Sequence, residues 1–223
     1  MNTNQGFSGN KGISNQPWPT KELQVEIENL KLTIDVIANF DDVLDDYART
    51  APNDTHAIPY FADIWPSALA LAKYLAQHPN CIQQRSIIEL GCGLGLPSIV
   101  AAKLGAAAVT ATDYHPACIP YCKANTIKNG VGQIQCQILD WRTPTIGTTF
   151  DCIIGSDLLY EEQQIASLLH CITKLKKTET QLILADPLRK HIQAATEKLQ
   201  QSGWKVDDHP IDEILIITAR YAG

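Results

Sequence analysis

The chain has 223 residues, of which 45% are hydrophobic, and a formal net charge of −6. That length suits one α/β unit with a full core, and the negative balance argues against a protein that grips nucleic acid over a broad surface. Seven cysteines without C-x-x-C spacing read as free thiols of a reducing cytosol, so a cytoplasmic location is expected. No apolar signal segment opens the chain and no stretch reads as a membrane span, so neither nucleic acid nor membrane is an expected partner.

Residues 1–20, rich in Asn, Gln, Gly and Ser, read as a flexible tail. Residues 21–57 form the next unit: apolar residues alternate on both sides of Glu28-Asn29, which predicts a β-hairpin over 22–37, and 40–47 has helical spacing. Pro52-Asn53-Asp54 marks a loop. Trp65-Pro66 then punctuates the entry to a helix over 67–77; taken alone, Trp65 reads equally as a core tryptophan.

Residues 86–90 form a short apolar run, the length of a buried parallel strand. Glu89-Leu90-Gly91-Cys92-Gly93-Leu94-Gly95 follows, and Ile99, Val100 and Leu104 then recur at helical spacing. Strand, glycine turn and helix is how an open α/β sheet builds a nucleotide site. The dinucleotide fingerprint G-x-G-x-x-G would put its third glycine where Leu96 stands. A carboxylate two residues before Gly91 sits badly beside a pyrophosphate and suits a cationic, phosphate-free ligand. A dinucleotide enzyme, or a glycine turn with no ligand, remains open on this motif alone.

A second strand over 107–112 ends at Asp113, placed either to accept from ribose hydroxyls or as a solvated loop residue. His115, Cys118 and Cys122 share a helix face; with no distant fourth ligand they read as buried thiols, and no metal is expected. A third strand over 134–138 leads to Asp140-Trp141, where the carboxylate would accept from an adenine amino group or simply close a turn. The fourth, 150–155, runs into Ser156-Asp157-Leu158-Leu159-Tyr160, and the helix after it carries an apolar stripe. Strand five, 181–185, ends in Asp186-Pro187-Leu188-Arg189. Runs over 204–207 and 213–219, joined too tightly for a crossover helix, predict an antiparallel pair. The expected fold is therefore α/β: a Rossmann-like sheet of seven strands, five parallel plus a terminal antiparallel hairpin, flanked by helices, with the N-terminal β-hairpin in addition.

The glycine motif resembles the first motif of class I S-adenosylmethionine-dependent methyltransferases, over a domain set at 58–223. Asp63-Ile64-Trp65-Pro66-Ser67 and Gly155-Ser156-Asp157-Leu158-Leu159-Tyr160 resemble methyltransferase family 16, made up mostly of protein lysine methyltransferases. The resemblance implies S-adenosylmethionine as cofactor, held by Trp65, Glu89, Gly91, Gly93, Gly95, Asp113, Asp140, Trp141 and Ser156. It implies a D-x-x-Y acceptor pair at Asp157 and Tyr160, and a protein partner offering a lysine. Asp186-Pro187-Leu188-Arg189 is reminiscent of the branch that methylates an electron-transfer flavoprotein subunit. A small-molecule N-methyltransferase is the alternative enzyme, and a non-catalytic binding domain of the same fold the alternative of another class. For Asp157 the plain structural role is a helix cap.

Overall fold

A computed structural model describes residues 18–50, 59–159, 162–189 and 191–222. Most of the expected tail, the loop at 52–54, and Tyr160 lie outside the described residues. The elements run β1 (Thr20–Ile27), β2 (Leu30–Ile37), α1 (Phe40–Thr50), α2 (Pro66–Gln77), β3 (Ser86–Leu90), α3 (Leu96–Lys103), β4 (Ala108–Asp113) and α4 (Cys118–Lys128). They continue with β5 (Gln135–Ile138), β6 (Phe150–Ser156), α5 (Glu162–Leu175), β7 (Lys176–Pro187), α6 (Ile192–Gln201), β8 (Trp204–Ile211) and β9 (Ile214–Tyr221).

Seven strands form one sheet in the order β5-β4-β3-β6-β7-β9-β8. The five from β5 to β7 are parallel, and β9 lies antiparallel to both β7 and β8. Each strand alternates its side chains between two cores. Ile87, Ile154, Ile183 and Ile216 face α2, α3, α4 and the hairpin. Their neighbours Ile88, Ile153, Leu182 and Ile217 face α5 and α6. The result is three layers, with the chain order reversing between β3 and β6.

Three boundaries differ from the sequence reading. β7 starts at Lys176, but Glu179 at φ 67° breaks its regularity, and even pairing with β6 begins only at Gln181, where the apolar alternation starts. The terminal pair is longer than expected, turning over Asp212 at φ 51°. Pro210 is tolerated within β8 because β8 is the sheet's edge. Helix α1 runs three residues past the predicted end at 47.

The N-terminal hairpin pairs β1 with β2 around Glu28 and buries Val25, Ile27, Leu32, Ile34 and Val36. The other edge of β2 is closed by two side-chain amides projecting from α4. Asn125 accepts the Asp35 N–H at 2.8 Å and donates to the Asp35 carbonyl at 3.1 Å. Asn129 does the same to Thr33, at 3.1 and 2.8 Å. Helical spacing of four thus meets strand spacing of two, and the amides stand in for a third strand. Asn125 Nδ2 also donates to the Leu94 carbonyl at 3.1 Å, so the hairpin is tied to the glycine loop. Among the described residues no helix is long and apolar enough to cross a membrane.

Candidate active site

At the carboxyl ends of the parallel strands, over the β3/β6 reversal, lies a cavity of about 260 Å³. This is where open α/β sheets bind ligands. A wider, polar depression of about 510 Å³ lies at the opposite ends of the strands, lined among others by Arg85, Asp151 and Lys205. Neither the glycine loop nor a sequence-predicted site residue reaches it.

The loop after β3 has Gly91, Gly93 and Gly95 at φ 64°, 49° and 87°, all in the left-handed region. A Cβ on Gly91 would stand 2.7 Å from Leu158 Cδ2, and one on Gly155 2.5 Å from Leu158 Cδ1. Leu158 is thus keyed between the turn after β3 and the end of β6. A Cβ on Gly93 would meet nothing nearer than the Phe61 Cα at 3.8 Å; with Gly93 lining the cavity, bare backbone faces open space there.

Glu89 is fully buried and is not among the residues lining the cavity. It shares the sheet face of Ile87, and Oε2 accepts from Ser98 N at 3.0 Å and from Ser98 Oγ at 2.5 Å. Gly95 at the head of α3 has no side chain to cap the helix, so Glu89 supplies the cap from the strand. Burial pushes its carboxyl up to about 8 against the opposing Ser98 bonds. The carboxyl that the sequence set beside a ligand is here engaged by Ser98 and holds the loop to the helix.

Asp113 lines the cavity. Its Oδ2 accepts from Gly93 N at 3.1 Å and its Oδ1 from His115 N at 3.0 Å. Burial raises its carboxyl while those backbone bonds lower it. His115 Nε2 lies 2.6 Å from the Tyr47 hydroxyl, and Phe61 packs at 4.8 Å between ring centroids, so α1 is fastened behind the His115 side of the cavity.

Trp65 is 41% exposed, which rules out the core reading; its indole donates to the Tyr60 carbonyl at 2.6 Å and its ring lines the cavity mouth. Trp141 lies in the wall, with Nε1 buried and without a partner among the described residues. Asp140 is turned away: a two-pronged ion pair with Arg142, the shortest contact 2.6 Å, lowers its carboxyl, and it is absent from the lining. The adenine contact expected of it is therefore not set up by this arrangement. Ser156 lines the cavity at the end of β6.

Asp157 follows at φ 57°, a left-handed conformation that costs a non-glycine residue energy. Its Oδ1 meets Arg189 Nη2 at 2.8 Å, and its Oδ2 is buried without a partner among the described residues. The other prong of Arg189, Nη1, meets Asp186 Oδ1 at 2.9 Å. Asp186 Oδ2 accepts the Leu159 N–H at 3.0 Å, and burial pushes that carboxyl up to about 6. Asp186 and Arg189 carried no assigned role in the sequence reading, although Asp-Pro-x-Arg at a strand end was a visible signal. Of the His115, Cys118, Cys122 set, Cys118 instead groups with Cys92 and Asp113, ligand atoms within 4.8 Å. The neighbouring Cys118 thiol and burial raise Cys92, and burial raises Cys118, both against the thiolate a metal requires.

The family described as "Lysine methyltransferase" matches residues 51–200. The chain belongs to that family. The electron transfer flavoprotein beta subunit lysine methyltransferase of Danio rerio is 32% identical over 132 residues, 59% of this chain and 51% of the relative. Protein N-lysine methyltransferase METTL21A of Xenopus tropicalis is 34% identical over 133 residues, 57% and 61%. Histone-arginine methyltransferase METTL23 of Rattus norvegicus is 34% identical over 118 residues, 50% and 52%. The chain thus spans 51–61% of the length of these curated relatives. A T. Thermophilus 16S rRNA methyltransferase in complex with AdoMet and guanosine superposes with a TM-score of 0.64 at 15% identity, covering 92% of this chain and 51% of that one. Magnesium protoporphyrin IX methyltransferase from Synechocystis with bound SAM gives 0.58 at 17% identity, covering 82% and 98%. At such identities these structures establish the fold of the methyltransferase domain, as expected from sequence.

The donor set of the cavity fits S-adenosylmethionine. Gly93 offers open backbone, Asp113 brings a buried carboxylate to the cavity wall, and Trp141 has an N–H without a partner among the described residues. Among the described lining residues no lysine stands ready for a pyrophosphate, and Arg189 is already committed to two carboxylates.

Proposed function

We propose that this protein transfers a methyl group from S-adenosylmethionine to a lysine side chain of a partner protein. The observation that carries the reading is one cavity, over the sheet's reversal, that joins Gly91, Gly93 and Asp113 to Asp157. Membership of the lysine methyltransferase family supports it.

When bound, the cofactor supplies an electrophilic methyl on a sulfonium. Asp113 would accept from ribose hydroxyls, the backbone of Gly91 and Gly93 would let the ligand approach closely, and Trp65, Trp141 and Ser156 would wall it. Asp157 would border the place where the acceptor arrives, and the D-x-x-Y resemblance gives Tyr160 a part in receiving the same acceptor. Apolar walls from Phe61, Ile64 and Leu158 exclude water around the reacting nitrogen. The exposed carboxylate of Asp63 at the rim favours a basic acceptor through steering that salt would screen.

The test has two parts. Calorimetric titration should show binding of S-adenosylmethionine and its demethylated product, and none of NAD. Labelled cofactor incubated with the protein and a heat-treated lysate should then leave label in methyl-lysine after acid hydrolysis. Label confined to metabolites would make the protein a small-molecule enzyme, label in methylarginine would change the acceptor class, and binding without transfer would leave a non-catalytic domain.

A further inference from the structure

A lysine amine titrates near ~10.4 and is almost wholly ammonium at neutral pH, yet only its free base can attack. A bare carboxylate beside it makes matters worse, because opposite charge stabilises the ammonium form. Asp157 is the carboxylate at the acceptor end of the cavity, and in the structure it is not bare. Its Oδ1 is held by Arg189 at 2.8 Å, and its Oδ2 is buried. The guanidinium lies in the cavity wall itself and reaches back with its second prong to Asp186.

We propose that Arg189 is a positioning residue of the acceptor site, holding Asp157 so that the entering amine meets a carboxylate already paired with a guanidinium and sheds its proton to water. The inference rests on the lysine-methylating reading above. The other charged or titratable groups facing this space are Asp63 on the exposed rim, Asp113, the His115 ring, Cys92, and the phenols of Tyr60 and Tyr114. Asp63 is the carboxylate that greets an incoming cation outside, and Asp113 is satisfied by two backbone N–H groups deeper in. Asp186 has a side chain only 1% exposed and sits behind the guanidinium. Among the described lining residues, Arg189 brings the one permanent positive charge. Its planar fork can hold two carboxylates at once while still presenting charge to the cavity, which a lysine ammonium would do less rigidly.

The experiment is the pH dependence of single-turnover methyl-lysine formation, at saturating cofactor, on heat-treated total protein from cells lacking the gene. Arg189→Gln should move the midpoint up by about 1–3 pH units, the size of effect one charge exerts at this range. At about pH 7.5 transfer should fall by roughly tenfold or more, and the two curves should converge only above the variant's own midpoint. The double variant Asp157→Asn/Arg189→Gln removes the carboxylate that Arg189 pairs in the cavity and should bring the midpoint most of the way back towards wild type, Asp186 remaining behind it. If Arg189→Gln does not fold, Asp157→Asn carries the test: it leaves the guanidinium facing the amine without that carboxylate and should move the midpoint below wild type, and an unchanged midpoint overturns the proposal. An Arg189→Gln curve lowered by one factor at every pH, or a double variant whose midpoint stays at that of Arg189→Gln, overturns the proposal. Wild-type protein that forms no methyl-lysine at any pH defeats the underlying functional reading instead.

Discussion

Asn125 is the side chain on which the glycine loop, helix α4 and the N-terminal hairpin all depend. Replacing it with alanine strips partners from the Asp35 N–H, the Asp35 carbonyl and the Leu94 carbonyl at once. The Leu94 bond is buried, so its orphaned carbonyl costs roughly 1–3 kcal/mol, while each part-buried Asp35 group, which water can partly reach, costs about 0.5–1.5. The sum is roughly 2–6 kcal/mol, a large share of the ~5–15 kcal/mol by which a domain is usually stable. For a chain of this size it corresponds to a fall in Tm of roughly 4–24 °C. Asn125→Asp keeps the acceptor for Asp35 N–H, loses both donations and sets a carboxylate against two carbonyls, so it should be no milder than alanine. Thermal unfolding measures the loss, and hydrogen exchange over residues 30–37 should show β2 opening first. Variants whose Tm stays within about 2 °C of wild type, with β2 still protected, would refute the view that the amides act as a surrogate strand.

Gly93→Ala should cost only ~1–2 kcal/mol of stability through its left-handed φ, since nothing crowds the new methyl, yet weaken cofactor binding at least ~10-fold by calorimetry. Asp113→Ala should lower cofactor affinity by about tenfold to a few hundredfold, as charge-assisted bonds of roughly 1.5–3 kcal/mol are lost, and an unaffected affinity would remove Asp113 from the site. Glu89 gives a pH signature. Its carboxyl is raised from 4.5 to about 8 on folding, so its contribution to stability is full below about pH 4.5 and is lost as pH rises through 8. Denaturant unfolding should therefore show wild type losing a few kcal/mol more than Glu89→Gln between about pH 5 and 8, and parallel curves would show that the carboxyl is already ionised in the folded protein.

The motif around the glycines was readable because its requirements are local: an apolar run, three positions that need positive φ, and a helix start. Asp113 could be placed for the same reason, at the end of the next strand. Glu89 was misjudged because its side chain lies on the sheet face that meets α3, and a partner such as Ser98 is recognisable only once the helix is folded back over the strand. Asp140 was legible in principle, since Arg142 stands two residues away and a local ion pair forms readily. The anchorage of the hairpin by Asn125 and Asn129 left no periodic hydrophobic trace, and the pairing of Arg189 with Asp157 joins residues 32 apart that only the sheet order brings together.

The wedge formed by Leu158 has a consequence for anyone who would redesign this protein. Both of its methyls occupy space that exists only because Gly91 and Gly155 lack side chains. The segment that would choose the acceptor is therefore not a replaceable module hung on an inert cofactor domain. A loop grafted from a relative with a bulkier residue at 158 would push against the turn after β3, and a smaller one would leave a hole beneath it. Acceptor choice and cofactor grip would have to be altered together, by changing 91, 155 and 158 as one unit.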